Sequence, residues 1–471
     1  MSAVAKLAHW GASLQWDAAP ADVQSKIADH IIDTLGVMCA GLNAPASVMV
    51  RSAMVKQAVG SGCTVVGTKL RLPALQAAFL NAFHGRIHTY DDTMETGPVH
   101  PGSSVIAAAL AAAETHDVCG EDFLAGVLAG YETVARIVTA FGPSHYTRGF
   151  HTTGTCNAFG AAAAACRARG LSTTATVGAL GLLGSMAAGL RQYQIDGNIS
   201  DSALNGAHAA LAGVMVADLA AAGLSGAEGV LDGKFGLGTI ATAGADFSAA
   251  LSSLGEAYLF RQTAIKPYPT CRFTHGPLTV LGDLQRTHGF TAQDVAGIDI
   301  ATFHQSIEVS DKPEIKSRSD ALLSHQMSAA LLVQHGAIDL GMLDSGAYAK
   351  AEAADLASRV RVIHDSQLES QYPANWPHRI TVHLRDGSNL EGLSPNPPGG
   401  MGDQIPTPIV EAKFAANSKA ALGSNVQKVI EQIRHLEREP GMRKVARLLC
   451  ESNSPLGNAG GPQVVVAEGG A

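Results

Sequence analysis

Residues 101–141 read PGSSVIAAALAAAETHDVCGEDFLAGVLAGYETVARIVTAF. Alanine and leucine give this stretch high helix propensity, and its apolar positions recur at helical spacing. Ser103 and Ser104 are placed to cap the helix VIAAALAAAETHD. Gly120 interrupts the pattern, so two helices are predicted rather than one. The glycines lower propensity, which close packing against a neighbouring helix or a ligand offsets.

The same character extends outward over residues 1–265. The stretch 22–42 has apolar residues at helical spacing and Gly41 as a stop signal. Residues 158–169 form another predicted helix, closed by Gly170. Ser172 caps a further one, predicted to run through GALGLLGSMAAGL (178–190), and 205–222 is a third rich in small residues. Near Lys266 the pattern changes. VAGIDIATF (295–303) and HRITVHLRDGSNLEG (378–392) read as strands, the latter folded at Asp386-Gly387. Helical patterns at 324–335 and 347–360 lie between them. SPNPPGG (394–400) breaks the chain before two more predicted helices, IVEAKFAANSKAAL and NVQKVIEQIRHLER. The prediction is a mainly α protein. A large helical domain, 1–265, is completed by 395–451. A smaller α+β lid domain spans 266–394, and 452–471 is a disordered Gly/Ala/Pro-rich tail. No internal repeat is evident.

Composition narrows the function. Of 471 residues, 46% are hydrophobic and 16% charged, a globular balance. The formal charge is −8 with no Lys/Arg run, which argues against nucleic-acid and anionic-membrane partners. An anionic ligand would need local cations. Cys39, Cys63, Cys119, Cys156, Cys166, Cys271 and Cys450 are scattered, without C-x-x-C pairs, so neither a disulfide framework nor a zinc ribbon is expected. The N-terminal residues lack the basic-then-apolar order of a signal peptide. The longest apolar stretches, such as 177–190, read as shorter than the ~20 residues that span a bilayer. A cytoplasmic protein is expected.

Three segments can carry chemistry. HGRIHTYDDTMETGPVHPGSS (84–104) gathers His84, His88, Asp91, Asp92, Thr93, Glu95 and His100 between two apolar helices. It leads into a helix N-terminus, whose free N–H groups suit a carboxylate. The plainer reading is a polar loop whose carboxylates cap helices. His84 and His88 stand four apart with Asp91 following, but H-E-x-x-H is absent and no metal is expected. GPSHYTRGFHTTGT (142–155) brings His145, Tyr146, Arg148 and His151, suited to acid/base work on an anion or to a surface loop with a core tyrosine. AIKPYPTCRFTHGP (264–277) sets Lys266, Arg272 and His275 among prolines at the proposed domain boundary. These cations either grip carboxylates or decorate a solvated hinge. Cys271 reads as a packed cysteine. No phosphate loop, dinucleotide fingerprint or serine elbow occurs in a supporting context.

In this order the three segments resemble the MmgE/PrpD superfamily, which includes 2-methylcitrate dehydratase, cis-aconitate decarboxylase and iminodisuccinate epimerase. The family's DD-[ST]…HP-S pattern is matched by Asp91-Asp92-Thr93 and His100-Pro101-Gly102-Ser103. Its G-[FW]-H-x-T motif is matched by Gly149-Phe150-His151-Thr152-Thr153, and K-x-[YW]-P-x-C by Lys266-Pro267-Tyr268-Pro269-Thr270-Cys271, with His275 following. Pro397, Pro398 and Lys413-Phe414 echo the late P-x-x-P…KF pattern. The resemblance covers roughly residues 5–435. It implies an active site between a helical domain and a lid, a homodimer and no obligatory cofactor. By carry-over, Thr93, His100, His151 and Lys266 match site-lining positions, and His145-Tyr146 matches a His-Tyr pair of the epimerase branch. The chain departs from the family at Thr89, where aspartate is usual, and at Arg86, where histidine is frequent. Residues 200–206 include Asp201 but not the common lysine.

The family's shared chemistry is proton movement at a carbon beside a carboxylate, which needs a base within reach and cations for the developing charge. His100, His151, Lys266 and Tyr146 are the expected catalytic groups. Thr93, Asp91, Arg272, His275 and Arg86 are the expected substrate-binding ones. The leading expectation is a dehydratase, hydratase or decarboxylase of a small di- or tricarboxylate. The alternatives are an epimerase or isomerase of the same substrate class, or a non-catalytic carboxylate-binding paralogue.

Overall fold

The computed structural model describes residues 1–56, 62–400 and 404–450; the expected disordered tail, 452–471, lies outside the described residues. Helix α1 (Ala21–Ala40) stops at Gly41 as its sequence predicts. Helices α2 (Ala74–Arg86), α3 (Pro101–His116), α4 (Gly120–Phe141) and α5 (Thr152–Ala168) follow. Asp117, left-handed at φ 50°, separates α3 from α4 just before Gly120.

Ser103 and Ser104 do not cap α3. The cap residue is His100 and Pro101 opens the helix, where its fixed φ and missing N–H cost nothing. The serines lie inside the first turn, and Ser104 Oγ donates to the Gly206 carbonyl at 2.9 Å. Helix α5 starts directly after His151, six residues before the predicted start at 158. Ser172 does cap α6 (Thr173–Leu182), accepting from Ala175 N at 3.2 Å. That helix ends at Leu182 rather than running through 190, because Gly181, Gly184 and Gly189 withdraw propensity just where the chain turns. Beyond the turn, the Gly189 carbonyl accepts from His151 N at 3.0 Å, and Arg191 N donates to the Gly149 carbonyl at 2.9 Å. The early end of α6 therefore supplies the segment that clamps His151. Helix α7 (Ile199–Ala221) also begins earlier than predicted.

Helices α4, α5 and α7 pack side by side. A Cβ on Gly160 of α5 would stand 2.3 Å from Val134 Cγ2 and 2.7 Å from the Gly130 carbonyl oxygen, so the absent side chain permits the approach. By length and composition α4 and the 200–221 part of α7 are able to cross a membrane, contrary to the sequence estimate; 94% and 61% of their apolar windows are buried within the protein.

From His275 the architecture changes. Helices α8 (His275–His288), α9 (His304–Ser310), α10 (His325–His335) and α11 (Ala351–Ser358) accompany strands β1 (Val295–Thr302), β2 (Val360–His364), β3 (His378–Leu384) and β4 (Asn389–Ser394). The sheet order is β2-β1-β3-β4. β1 runs parallel to β2 and antiparallel to β3, and the β3–β4 hairpin turns through Gly387 at φ 90°. Strand β2 was not foreseen; it is a short edge strand after a helix, with a single buried residue. Helix α12 (Thr407–Leu422) returns to pack on α1, Phe414 lying over Gly36.

One hydrophobic core draws on residues 3–265 and 410–449, and a second on 278–382. Cys271, Phe273, Phe303, Val309, Leu323 and Trp376 form a third, smaller cluster. The candidate site lies where that aromatic cluster meets the loop before α3.

Candidate active site

The loop 90–100 is fastened from several sides. Asp92 Oδ2 accepts from Tyr131 OH at 2.6 Å and contacts His30 Nδ1 at 2.8 Å, and Oδ1 accepts from Gly102 N at 2.9 Å. Burial pushes this carboxyl up, but the hydrogen bonds from His30, Tyr131 and Gly102 prevail and hold it below the usual carboxylate range. Asp92 thus serves as the anchor at the start of α3, the plainer of the two sequence readings. Lys413 Nζ, 2.6 Å from Asp33 Oδ1, donates to the Tyr90 carbonyl at 3.1 Å and lies 3.8 Å from the Tyr90 ring centroid. Thr93–Met94 pairs antiparallel with Thr263–Ala264, which places Lys266 beside the loop.

A cavity of about 50 Å³ opens behind these contacts. Arg86, Thr93, His100, Tyr146, His151, Lys266 and Arg272 line it, so residues from all three predicted segments converge. Cys271, Phe273, Val309, Leu323 and Trp376 close the apolar side.

His100 Nδ1 lies 2.7 Å from the Asp92 carbonyl oxygen, which can only accept. Nδ1 therefore carries the proton and Nε2 keeps a free lone pair. Burial lowers the His100 pKa well below the ordinary value, reinforced by the positive charges of Arg86 and Lys266. The imidazole is neutral and competent as a base. Lys266 Nζ donates to the Thr89 carbonyl at 2.7 Å, and Thr89 adopts a left-handed φ of 56°. Burial brings the Lys266 pKa down to about 7, against the opposing attraction of Asp91. Asp91 does not line the cavity; it holds Arg86 Nη1 at 2.8 Å, and burial raises its own carboxyl. Arg86 Nε has no partner among the described residues.

His151 is engaged at both nitrogens. Nδ1 lies 3.0 Å from Asn205 Nδ2 and Nε2 lies 3.2 Å from Tyr193 OH. With the Asn205 amide donating to Nδ1, Nε2 carries the proton and donates to Tyr193 OH, leaving the phenolic proton for an occupant of the cavity. Gln194 Nε2 donates to Tyr146 OH at 2.9 Å and, more weakly, to Tyr193 OH at 3.3 Å. Burial lowers the His151 pKa and raises that of Tyr146. Tyr193, Gln194 and Asn205 were absent from the sequence candidates. The polar run RQYQIDGN after a glycine-rich break was the one visible signal of the first two.

Other expected groups have structural surroundings. Arg272 lines the cavity, yet its Nε donates to Glu95 Oε1 at 2.7 Å and its Nη1 to the Pro398 carbonyl at 2.7 Å, a buried strap rather than a solvated hinge. His275 lies behind the wall, with Nε2 3.2 Å from the Thr270 carbonyl oxygen. His145 stacks on Phe150 at 4.7 Å between ring centroids and contacts Thr155 Oγ1 at 2.8 Å; of the His-Tyr pair, Tyr146 reaches the cavity. His88 accepts from Arg318 Nη2 at 2.9 Å, and both ring nitrogens of His84 are buried without a partner among the described residues. Among the described residues no group of three His, Cys, Asp or Glu is placed to hold a metal ion.

Comparison with known proteins adds a family. The profile of the MmgE/PrpD N-terminal domain matches residues 5–250, and that of the MmgE/PrpD C-terminal domain matches 268–438. The cis-aconitate decarboxylase of Aspergillus terreus (strain NIH 2624 / FGSC A1156) is 24% identical, over 96% of this chain and 97% of its own length. The cis-aconitate decarboxylase-like protein oryM of Aspergillus oryzae is 26% identical, over 84% of this chain and 86% of its own. The human cis-aconitate decarboxylase is 26% identical, over 83% of each.

Proposed function

Because the chain belongs to the MmgE/PrpD family, we propose that it is a lyase, a decarboxylase or a dehydratase/hydratase, acting on a small di- or tricarboxylic acid by proton transfer beside a carboxylate. One observation carries this reading: the free Nε2 of His100 faces a cavity that also holds the cations Arg86 and Lys266. The named activity of its relatives, decarboxylation of cis-aconitate, supports the class.

The chemistry follows from charge. Removing a proton beside a carboxylate, or losing carbon dioxide from one, leaves an electron pair on carbon that spreads into a neighbouring carboxylate. Cations at that carboxylate stabilise the pair most where water is excluded. Arg86 and Lys266 are so placed. A bound carboxylate also favours charged Lys266, which binding would lift above its pKa of about 7. In dehydration, His100 Nε2 takes the proton, and Tyr193 OH, backed by His151, gives one to the leaving hydroxyl. In decarboxylation the carbon–carbon bond breaks first, and a proton is then delivered to carbon. Tyr193 supplies it, the hydrogen bond from His151 Nε2–H stabilises the phenolate left behind, and solvent returns the proton to Tyr193.

The test is NMR of the purified protein with pooled di- and tricarboxylates, cis-aconitate included, in deuterated water. Loss or addition of water, or release of carbon dioxide, is the expected result. Deuterium exchange without either would replace the lyase with an epimerase or isomerase. Binding without turnover would leave a non-catalytic paralogue.

A further inference from the structure

The inner cavity is far smaller than the roughly 300–1,000 Å³ of typical ligand sites. A second, open depression of about 660 Å³ adjoins it, and the two share Gln194 and Val309 as wall residues. The outer room is large enough for a tricarboxylate, and Gln194 and Val309 form the partition.

Its charges are one-sided. Arg148, Arg191 and Lys312 line the depression against a single carboxylate, Glu308. Asp311 and Asp196 do not line it, and accept from Gln326 Nε2 at 2.5 Å and Gln192 Nε2 at 3.0 Å. Arg191 is preorganised. Its guanidinium carbon lies 3.6 Å from the Tyr146 ring centroid, Nε donates to Gln194 Oε1 at 2.9 Å and Nη1 donates to the Tyr146 carbonyl at 2.9 Å. Its Nη2 lies 3.6 Å from Glu308 Oε1, beyond hydrogen-bond length. The Arg191 side chain is 12% exposed and that of Glu308 52%. Glu308, on α9, also accepts from Gln305 Nε2 at 3.1 Å, and faces Arg191 within the depression as a counter-ion held without a direct hydrogen bond to it.

We propose that this depression is an anion-docking vestibule. A di- or tricarboxylate settles on Arg148, Arg191 and Lys312, displaces Glu308 from Arg191, and passes between Gln194 and Val309 into the cavity. Arg191 links docking to the interior, because the ligand that takes Glu308's place contacts the group that holds Gln194 and Tyr146. This rests on the carboxylate-substrate reading, but its test does not use turnover.

Cys271 lines the inner cavity and reports on arrival there. Iodoacetate and iodoacetamide both alkylate a thiolate with loss of iodide and have nearly the same size; only the first is an anion. Their rates at Cys271, read by peptide mass with Cys119 as internal reference, separate charge from access. Glu308→Gln is expected to raise the iodoacetate-to-iodoacetamide ratio at Cys271 several-fold. Arg148→Gln with Lys312→Gln is expected to lower it, most at low ionic strength. A ratio unchanged in both variants would overturn the proposal. So would equal changes for the two reagents, which would mean steric gating, or a Cys271 inert to iodoacetamide, which would mean no passage. Loss of the lyase reading would leave these ratios as they are.

Discussion

His100 and Lys266 owe their character to what surrounds them rather than to their type. A histidine in water is half protonated near neutrality, whereas burial keeps His100 neutral and the Asp92 carbonyl fixes which nitrogen is basic. His100→Gln is expected to abolish proton abstraction, and with it dehydration or hydration, while leaving the circular dichroism spectrum unchanged; near-wild-type rates of that reaction would remove His100 from the mechanism. Lys266 gives a pH signature. Its charged form dominates below its pKa of about 7, so kcat/KM should fall as pH rises through that value. Lys266→Arg, which stays charged, should lose that limb in whatever activity it retains. The sign for stability is opposite. Between about 7 and the ordinary lysine value of 10.5 the unfolded chain binds the extra proton, so this lysine's contribution to stability rises with pH. Lys266→Met is accordingly expected to melt higher at pH 6 than the wild type, and to be inactive. His100, His151 and Lys266 were legible because each stands in a compact motif. Tyr193 and Asn205 were not, since they act through contacts made only when a glycine-broken segment folds back on His151.

At the scale of elements, two competing effects meet in Gly160. Alanine there would gain about 1 kcal/mol of helix propensity. Overpacking costs about 1–3 kcal/mol, and the obstructing Gly130 carbonyl is backbone that cannot swing aside. Gly160→Ala is expected to destabilise by up to about 2 kcal/mol in urea unfolding; stabilisation would refute the close approach of α4 and α5. Asp92 secures the start of α3. Asp92→Ala would orphan Gly102 N, Tyr131 OH and His30 Nδ1, at a cost of about 3–5 kcal/mol. Because its folded pKa is depressed, its contribution is present above the ordinary carboxylate value and is lost as pH falls through the folded one. Helix existence was well marked by alanine-rich periodicity, but helix starts were not. Pro101 and His151, rather than the nearby serines and alanines, set the boundaries of α3 and α5.

At the scale of the molecule, one hydrophobic core draws on residues 3–265 and 410–449 and a second on 278–382. The straps between them are unequal. Arg272 joins Glu95 and the Pro397 and Pro398 carbonyls in a buried cluster, whereas Arg318 to His88 and Arg191 to Glu308 are more exposed. No sequence pattern displayed these straps, because each pairs residues more than a hundred positions apart. What they enclose is a buried cavity lined by Arg86, Lys266 and a neutral His100. The most direct measurement of that claim is deuterium incorporation from deuterated water, followed by NMR, into bound di- and tricarboxylates with wild type and His100→Gln side by side. The expected result is deuterium in substrate or product at the carbon beside a carboxylate with wild type. With His100→Gln none is expected in the recovered substrate or in a product of water loss or addition, although ligand binding persists. Equal incorporation by both proteins, or none by the wild type with a ligand demonstrably bound, would contradict it.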